Sequence, residues 1–135
     1  MRYHGPVADV APWFESLRLT VAPLRFGAGV KGKVVSSLAA GVPCVATPVA
    51  VEGMGLRDGD GGVLVAATPE ALADRVLRAH EDPGVWADLS AGGLAHVAAR
   101  FSPADWRRTL EEALWVMDAL PETVAVAAGG TSGGD

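Results

Sequence analysis

Cysteine and lysine are scarce in this 135-residue chain, with Cys44 alone and lysine only at Lys31 and Lys33. A single thiol excludes any disulfide within the chain, and its place in the apolar pattern Val42–Ala46 predicts a buried core group. No charged start leads into an apolar segment, and no apolar run reaches the ~18 residues a bilayer span needs. Neither a secretory leader nor a membrane span is expected, and a reducing, cytoplasmic setting is the default. Basic residues are outnumbered, 11 Lys and Arg against 16 Asp and Glu, for a net charge of −5. With no basic stripe interleaved with aromatics, nucleic acid is not an expected partner. No internal repeat is evident. What abounds is apolar residues, at 50%, and glycine, at 17. This is the composition of a globular chain, long enough for one domain with a core.

One local absence is more informative than any of these. No Asp or Glu occurs between Glu15 and Glu52, and both lysines fall inside that gap. They belong to Gly27-Ala28-Gly29-Val30-Lys31-Gly32-Lys33, which follows the apolar run Leu19–Ala22 and precedes Val34–Ala40, a short helical stretch ended by Gly41. The pattern reads as strand, glycine-rich loop, helix. Glycines let the backbone turn its N–H groups toward one point, and a helix start favours an anion through its unpaired N–H groups and dipole. A phosphate group is the natural ligand.

Short motifs leave the choice open. Gly27, Gly29 and Gly32 satisfy the dinucleotide pattern G-x-G-x-x-G, with Glu52 near the distance expected of an acid for a ribose hydroxyl, although beyond the strand and after Pro48. Gly27, Gly32 and Lys33 satisfy the P-loop pattern up to its last position, where a magnesium-binding Ser or Thr is replaced by Val34. Arg57-Asp58-Gly59-Asp60-Gly61-Gly62 lacks the ligand spacing and closing glutamate of a calcium loop and reads as a turn. No metal site is expected.

Along the chain, residues 2–4 suit a short first strand, broken by Gly5-Pro6. Asp9 suits the cap of a helix from Val10 to about Leu17, with Val10, Trp13, Phe14 and Leu17 as its apolar face. His4 has no second ligand nearby in sequence and reads as a surface or structural residue. Strands are expected at 19–22, 42–47 and 62–66, the second apolar enough to be buried on both faces. Glu52-Gly53-Met54-Gly55 follows the carboxyl end of a strand, where glycines allow ligand contact. Thr68-Pro69-Glu70 opens a helix over Ala71–His80. Another runs from Pro83 toward Arg100, weakened at Gly92-Gly93, and a third from Ser102-Pro103 through about Leu120, with Trp106, Leu110, Leu114 and Met117 on one stripe. His80 and His96 lie in helices and read as solvated or packed. The alternation predicts an α/β fold, a Rossmann-like parallel sheet with helices on both faces, over residues 1–120. Residues 121–135, rich in Gly, Ser and Thr toward their end, are expected to be a disordered tail.

The longer stretch Val21–Val34, followed by Leu38-Ala39-Ala40-Gly41-Val42-Pro43-Cys44-Val45-Ala46-Thr47, resembles the donor-binding half of the group 1 glycosyltransferases. Gly5–Asp9 and Glu52–Gly55 fit the same family, so the resemblance covers about residues 2–115. It implies half of the two-domain GT-B fold, incomplete on its N-terminal side. It also implies a nucleoside-diphosphate sugar as substrate and sugar transfer with retained anomeric configuration. By resemblance, Lys31, Lys33, Gly27, Gly29 and Gly32 fall on phosphate-binding positions and Arg25 on the basic position before them. The three cations are thereby catalytic candidates, offsetting charge on the leaving diphosphate. Ser36 stands where the family usually carries a ribose-binding glutamate, and Ala28 where many members carry a companion acid. Ser36, Ser37, Glu52 and Gly53 complete the candidate donor site. The acceptor-binding half is expected from elsewhere, as a partner chain or a homodimer. Alternatives are a non-catalytic fragment that binds a partner, and an NAD-binding oxidoreductase domain with Glu52 on a ribose.

Overall fold

The computed structural model describes residues 2–102, except 7 and 10, with Ala11 described in its backbone only. The short strand β2 (Cys44–Ala46) is buried at every position and stands at the centre of a parallel sheet. It is flanked by β1 (Thr20–Ala22) and β3 (Val63–Val65), in the order β1-β2-β3. Thr20 is in register with Cys44, and Cys44 with Val63. Because side chains alternate along a strand, β2 feeds two cores. Cys44 and Ala46 join Val34, Leu38, Met54 and Val63 in one, while Val45 joins Leu64, Ala79 and Leu89 in the other. The first core is covered by α2 (Gly32–Ala39) and the second by α3 (Pro69–Glu81) and the start of α4 (Pro83–Arg100). The expected Rossmann-like α/β arrangement is therefore present, with three strands among the described residues.

Local chemistry sets the element ends. Thr68 accepts the Ala71 N–H on its hydroxyl at 3.2 Å, and Pro69 occupies the first turn of α3, as the sequence predicts. The Asp82 carboxylate accepts the N–H groups of Gly84 and Val85 at 2.9 and 3.1 Å, which opens α4. Gly41, at φ +72°, ends α2. The second edge of the sheet is closed by its own preceding turn. Asp58 accepts the Val65 N–H at 2.9 Å, Gly59 N–H donates to Val63 O at 3.0 Å, and Arg75 of α3 bridges to Asp58.

Two expectations are corrected. Residues 2–4 form no strand, and Tyr3 is 90% exposed. A residue run of suitable composition needs a paired neighbour to become a strand, and among the described residues none pairs with it. The helix α1 (Ala11–Ser16) forms, but Trp13 and Leu17 of its apolar face remain about two-fifths exposed. Trp13 instead packs edge-on against His4, with ring centroids 4.4 Å apart. The helix expected from Pro83 toward Arg100 is present as α4, and it continues through Gly92-Gly93. A Cβ on Gly93 would lie 3.5 Å from Gly62 Cα and 3.2 Å from Leu38, so the helix trades propensity for close backbone approach. The helix expected from residue 102 to about 120, and the tail after it, lie outside the described residues.

Candidate functional site

The loop after β1 begins under tight control from β2. Thr47 donates its hydroxyl to Leu24 O at 2.6 Å and its N–H to Ala22 O at 3.1 Å, which fixes where the chain leaves the sheet. Arg25 and Phe26 then stand exposed. Gly27 at φ +141° and Gly29 at φ +75° take backbone conformations that side chains resist, and they turn the chain back toward the helix. Lys31 is the N-cap residue of α2, without a side-chain cap, and its carbonyl receives both Val34 N–H and Val35 N–H. The N–H groups of Gly32 and Lys33 thus lie in the first turn, where no helix carbonyl reaches them. No acid occupies that turn.

The two lysines differ in their commitments. Lys31 is half-buried, and its Nζ donates to Gly29 O at 2.7 Å across the loop. Its side chain also covers Gly27, where an added Cβ would meet Lys31 Cε at 3.2 Å. Lys31 is therefore part of what shapes the loop. Lys33 is exposed and forms no ion pair with any described residue.

The adjacent serines of α2 also separate. Ser36 faces out and lines a cavity of about 910 Å³ with Lys31, Gly32 and Lys33, beside apolar groups that include Phe14 and Leu24. Ser37 is fully buried; its hydroxyl donates to Val42 O at 2.8 Å and lies 2.7 Å from the Thr20 hydroxyl. It holds α2 to the sheet and has no face toward the cavity. Val34, at the position a P-loop gives to its magnesium-binding hydroxyl, is 2% exposed in the core, which removes that reading.

Glu52 and Gly53 line a second cavity, of about 610 Å³, at the carboxyl ends of β2 and β3. The structure therefore divides the candidates: Lys31, Gly32, Lys33 and Ser36 on one cavity, Glu52 and Gly53 on the other, and Arg25, Gly27 and Gly29 exposed on the loop without lining either. The loop passes near the second cavity at Gly53, where an added Cβ would lie 3.9 Å from a Val30 methyl. Sequence reasoning missed Arg57 and Asp58, which also line the second cavity. The sequence reads them as part of a turn; their distance of only a few residues from Gly53 and Gly55 is the available signal.

Cys44 is 1% exposed, and burial raises its thiol pKa from the ordinary value of 9.0. An acid whose folded pKa is raised keeps its proton while the unfolded chain loses it. Its contribution to stability is therefore present below the unfolded pKa and falls as pH rises beyond it. Iodoacetamide is expected to leave Cys44 unmodified in the folded chain at pH 8 and to label it fully in urea, as mass spectrometry would show. Rapid labelling of the folded chain would contradict the burial.

The family model for group 1 glycosyl transferases matches residues 1–82, more than half of the chain. No curated protein matches it.

Proposed function

The chain belongs to the group 1 glycosyltransferases, and on that premise we propose that its loop Gly27–Lys33 binds the diphosphate of a nucleotide-sugar donor. The observation that carries the reading is the start of α2. There, two left-handed glycines deliver first-turn N–H groups beside an uncommitted lysine, in a segment free of carboxylates. Backbone N–H groups and the helix dipole supply a fixed positive field, and Lys33 supplies the mobile charge. Lys31 keeps the loop in shape through Gly29. Ser36 offers a hydroxyl from the same cavity to a ribose.

In sugar transfer, negative charge builds on the leaving diphosphate as its bond to the anomeric carbon breaks. Oriented N–H groups and lysine at that place lower the barrier without a side-chain nucleophile. Transfer with retained configuration, to an acceptor held by a second domain or partner chain, completes the proposed activity.

Binding should depend on phosphate more than on the nucleoside. Calorimetric titration with UDP, GDP and ADP, each beside its parent nucleoside, is expected to give one diphosphate at least tenfold tighter than its nucleoside. That affinity should weaken as salt rises, because exposed charges are screened. Equal affinity for nucleoside and diphosphate would contradict the reading.

A second reading, a module that binds a partner chain, is favoured by exposed apolar groups around the same loop: Phe26 at 86%, Val30 at 49% and Val21 at 47%.

A further inference from the structure

We propose that the nucleotide site of this chain does not select for ribose, and that 2′-deoxyribonucleoside diphosphates belong to its ligand class. The inference rests on the diphosphate reading above and adds to it the kind of nucleoside the diphosphate carries.

A ribose brings two hydroxyls, and each proton needs an acceptor once it leaves water; a 2′-deoxyribose brings one. The cavity of about 910 Å³ that holds Lys31, Gly32, Lys33 and Ser36 is rich in donors and poor in acceptors. No carboxylate among the described residues lines it, and the chain carries none from residue 16 to residue 51. Lysine side chains and backbone N–H groups only donate.

The acceptors that do lie along this segment are already in use. Leu24 O takes the Thr47 hydroxyl at 2.6 Å, and Ala22 O takes the Thr47 N–H at 3.1 Å. Gly29 O takes Lys31 Nζ at 2.7 Å, and Lys31 O takes the N–H groups of Val34 and Val35. The Ser37 hydroxyl spends its proton on Val42 O, so the Thr20 hydroxyl, 2.7 Å away, donates to Ser37. Ser36, exposed on α2, is the side-chain acceptor left for a ligand, and it serves one hydroxyl. Phe14, Val21, Leu24 and Val30 make the neighbouring wall apolar.

A 2′-hydroxyl could accept from a lysine, but its own proton would still lack a partner, and the lysines are claimed by phosphate. A site built to bind a hydroxyl rejects the analogue that lacks it by orders of magnitude, because its own polar group is left unpaired. Here no such group is waiting. Removing the 2′-hydroxyl therefore costs the complex nothing and spares a polar group the loss of its water.

Calorimetric titration of the whole chain with the pairs UDP and dUDP, GDP and dGDP, ADP and dADP isolates the 2′-hydroxyl, the one group by which the members of each pair differ. For the base that binds, the deoxy member is expected to bind at least as tightly as the ribose member, and up to about tenfold tighter. Ser36→Glu, an exposed substitution, puts a carboxylate into the cavity. It should turn the ratio of the two affinities about tenfold toward ribose, as for a gained hydrogen bond to a charged group, and its repulsion of the diphosphate cancels in that ratio. A ribose member that binds more tightly than its deoxy partner in the parent chain, or a ratio that a folded Ser36→Glu leaves unchanged, would overturn the inference while leaving diphosphate binding intact. If Ser36→Glu does not fold, the pairs measured on the parent chain decide alone. No binding of any of these diphosphates would instead remove the diphosphate reading, and this inference with it.

Discussion

Gly62→Ala is expected to destabilise the chain by roughly 2–5 kcal/mol, the sum of a left-handed backbone penalty and a packing clash. Gly62 sits at φ +89°, and a Cβ built there would lie 2.6 Å from Gly93 Cα, 2.8 Å from Leu38 Cδ2 and 3.0 Å from Gly93 N. Two of these atoms belong to the backbone of α4, which cannot swing aside as a side chain can. Relief would require α4 to move off the turn before β3, opening the core around Leu38. Domains of this size hold only about 5–15 kcal/mol in total, so the substitution removes a large share. Gly59 provides the control. It too has positive φ, at +81°, but an added Cβ would meet nothing within 4 Å. Gly59→Ala should therefore lose only the backbone part, about 1–2 kcal/mol. Urea melts of the two variants and the parent chain would measure the difference. Equal losses would mean that the contact between the turn and α4 is looser than described.

Lys33→Ala is expected to weaken diphosphate binding about tenfold to a hundredfold, the effect of losing one hydrogen bond to a charged group. Lys33 is exposed and has no internal ion pair among the described residues, so its removal should leave the urea midpoint unchanged. Affinity and stability thus separate at this position. Lys31→Ala should behave differently, because its Nζ bonds Gly29 O and its stem covers Gly27. Its loss should perturb the free loop's amide spectrum as well as binding. Lys33→Arg, which retains the charge, should recover most of the affinity. If Lys33→Ala binds as tightly as the parent, the lysine is a solvated surface charge and the account of the loop loses its mobile cation.

Much of the scaffold was legible because it rests on local chemistry. The all-apolar run around Cys44 specified a buried central strand, and Thr68-Pro69-Glu70 specified the start of α3. The run at residues 2–4 was misread because strand propensity does not say whether a neighbour is there to pair with. Trp13 and Leu17 have helical spacing, but spacing marks an apolar face and not what covers it. The glycines of α4 looked like weaknesses because their partner, Gly62, is thirty-odd positions away in the chain.

The site was legible in part for similar reasons. Gly27, Gly29 and the two lysines declare an anion-binding turn through conformation and charge. The division between Ser36 and Ser37 was available from helical phase: Val34, Ser37 and Leu38 follow the three- and four-residue steps of one buried face, which leaves Ser36 outside it. The fixing of Lys31 on Gly29 was not available, since either lysine could reach the loop carbonyls. Nor was the separation of Glu52 from the lysine cavity, which depends on the path of the turn from Pro48 to Val51.

The most direct test of the central claim is an amide-resolved NMR titration of the folded chain with UDP, GDP and ADP, each followed by its nucleoside. The account predicts saturable shifts of residues 27–36 with one of the three diphosphates, largest at Gly32 and Lys33, and far smaller shifts with its nucleoside. A folded chain in which none of the three moves these amides would contradict it.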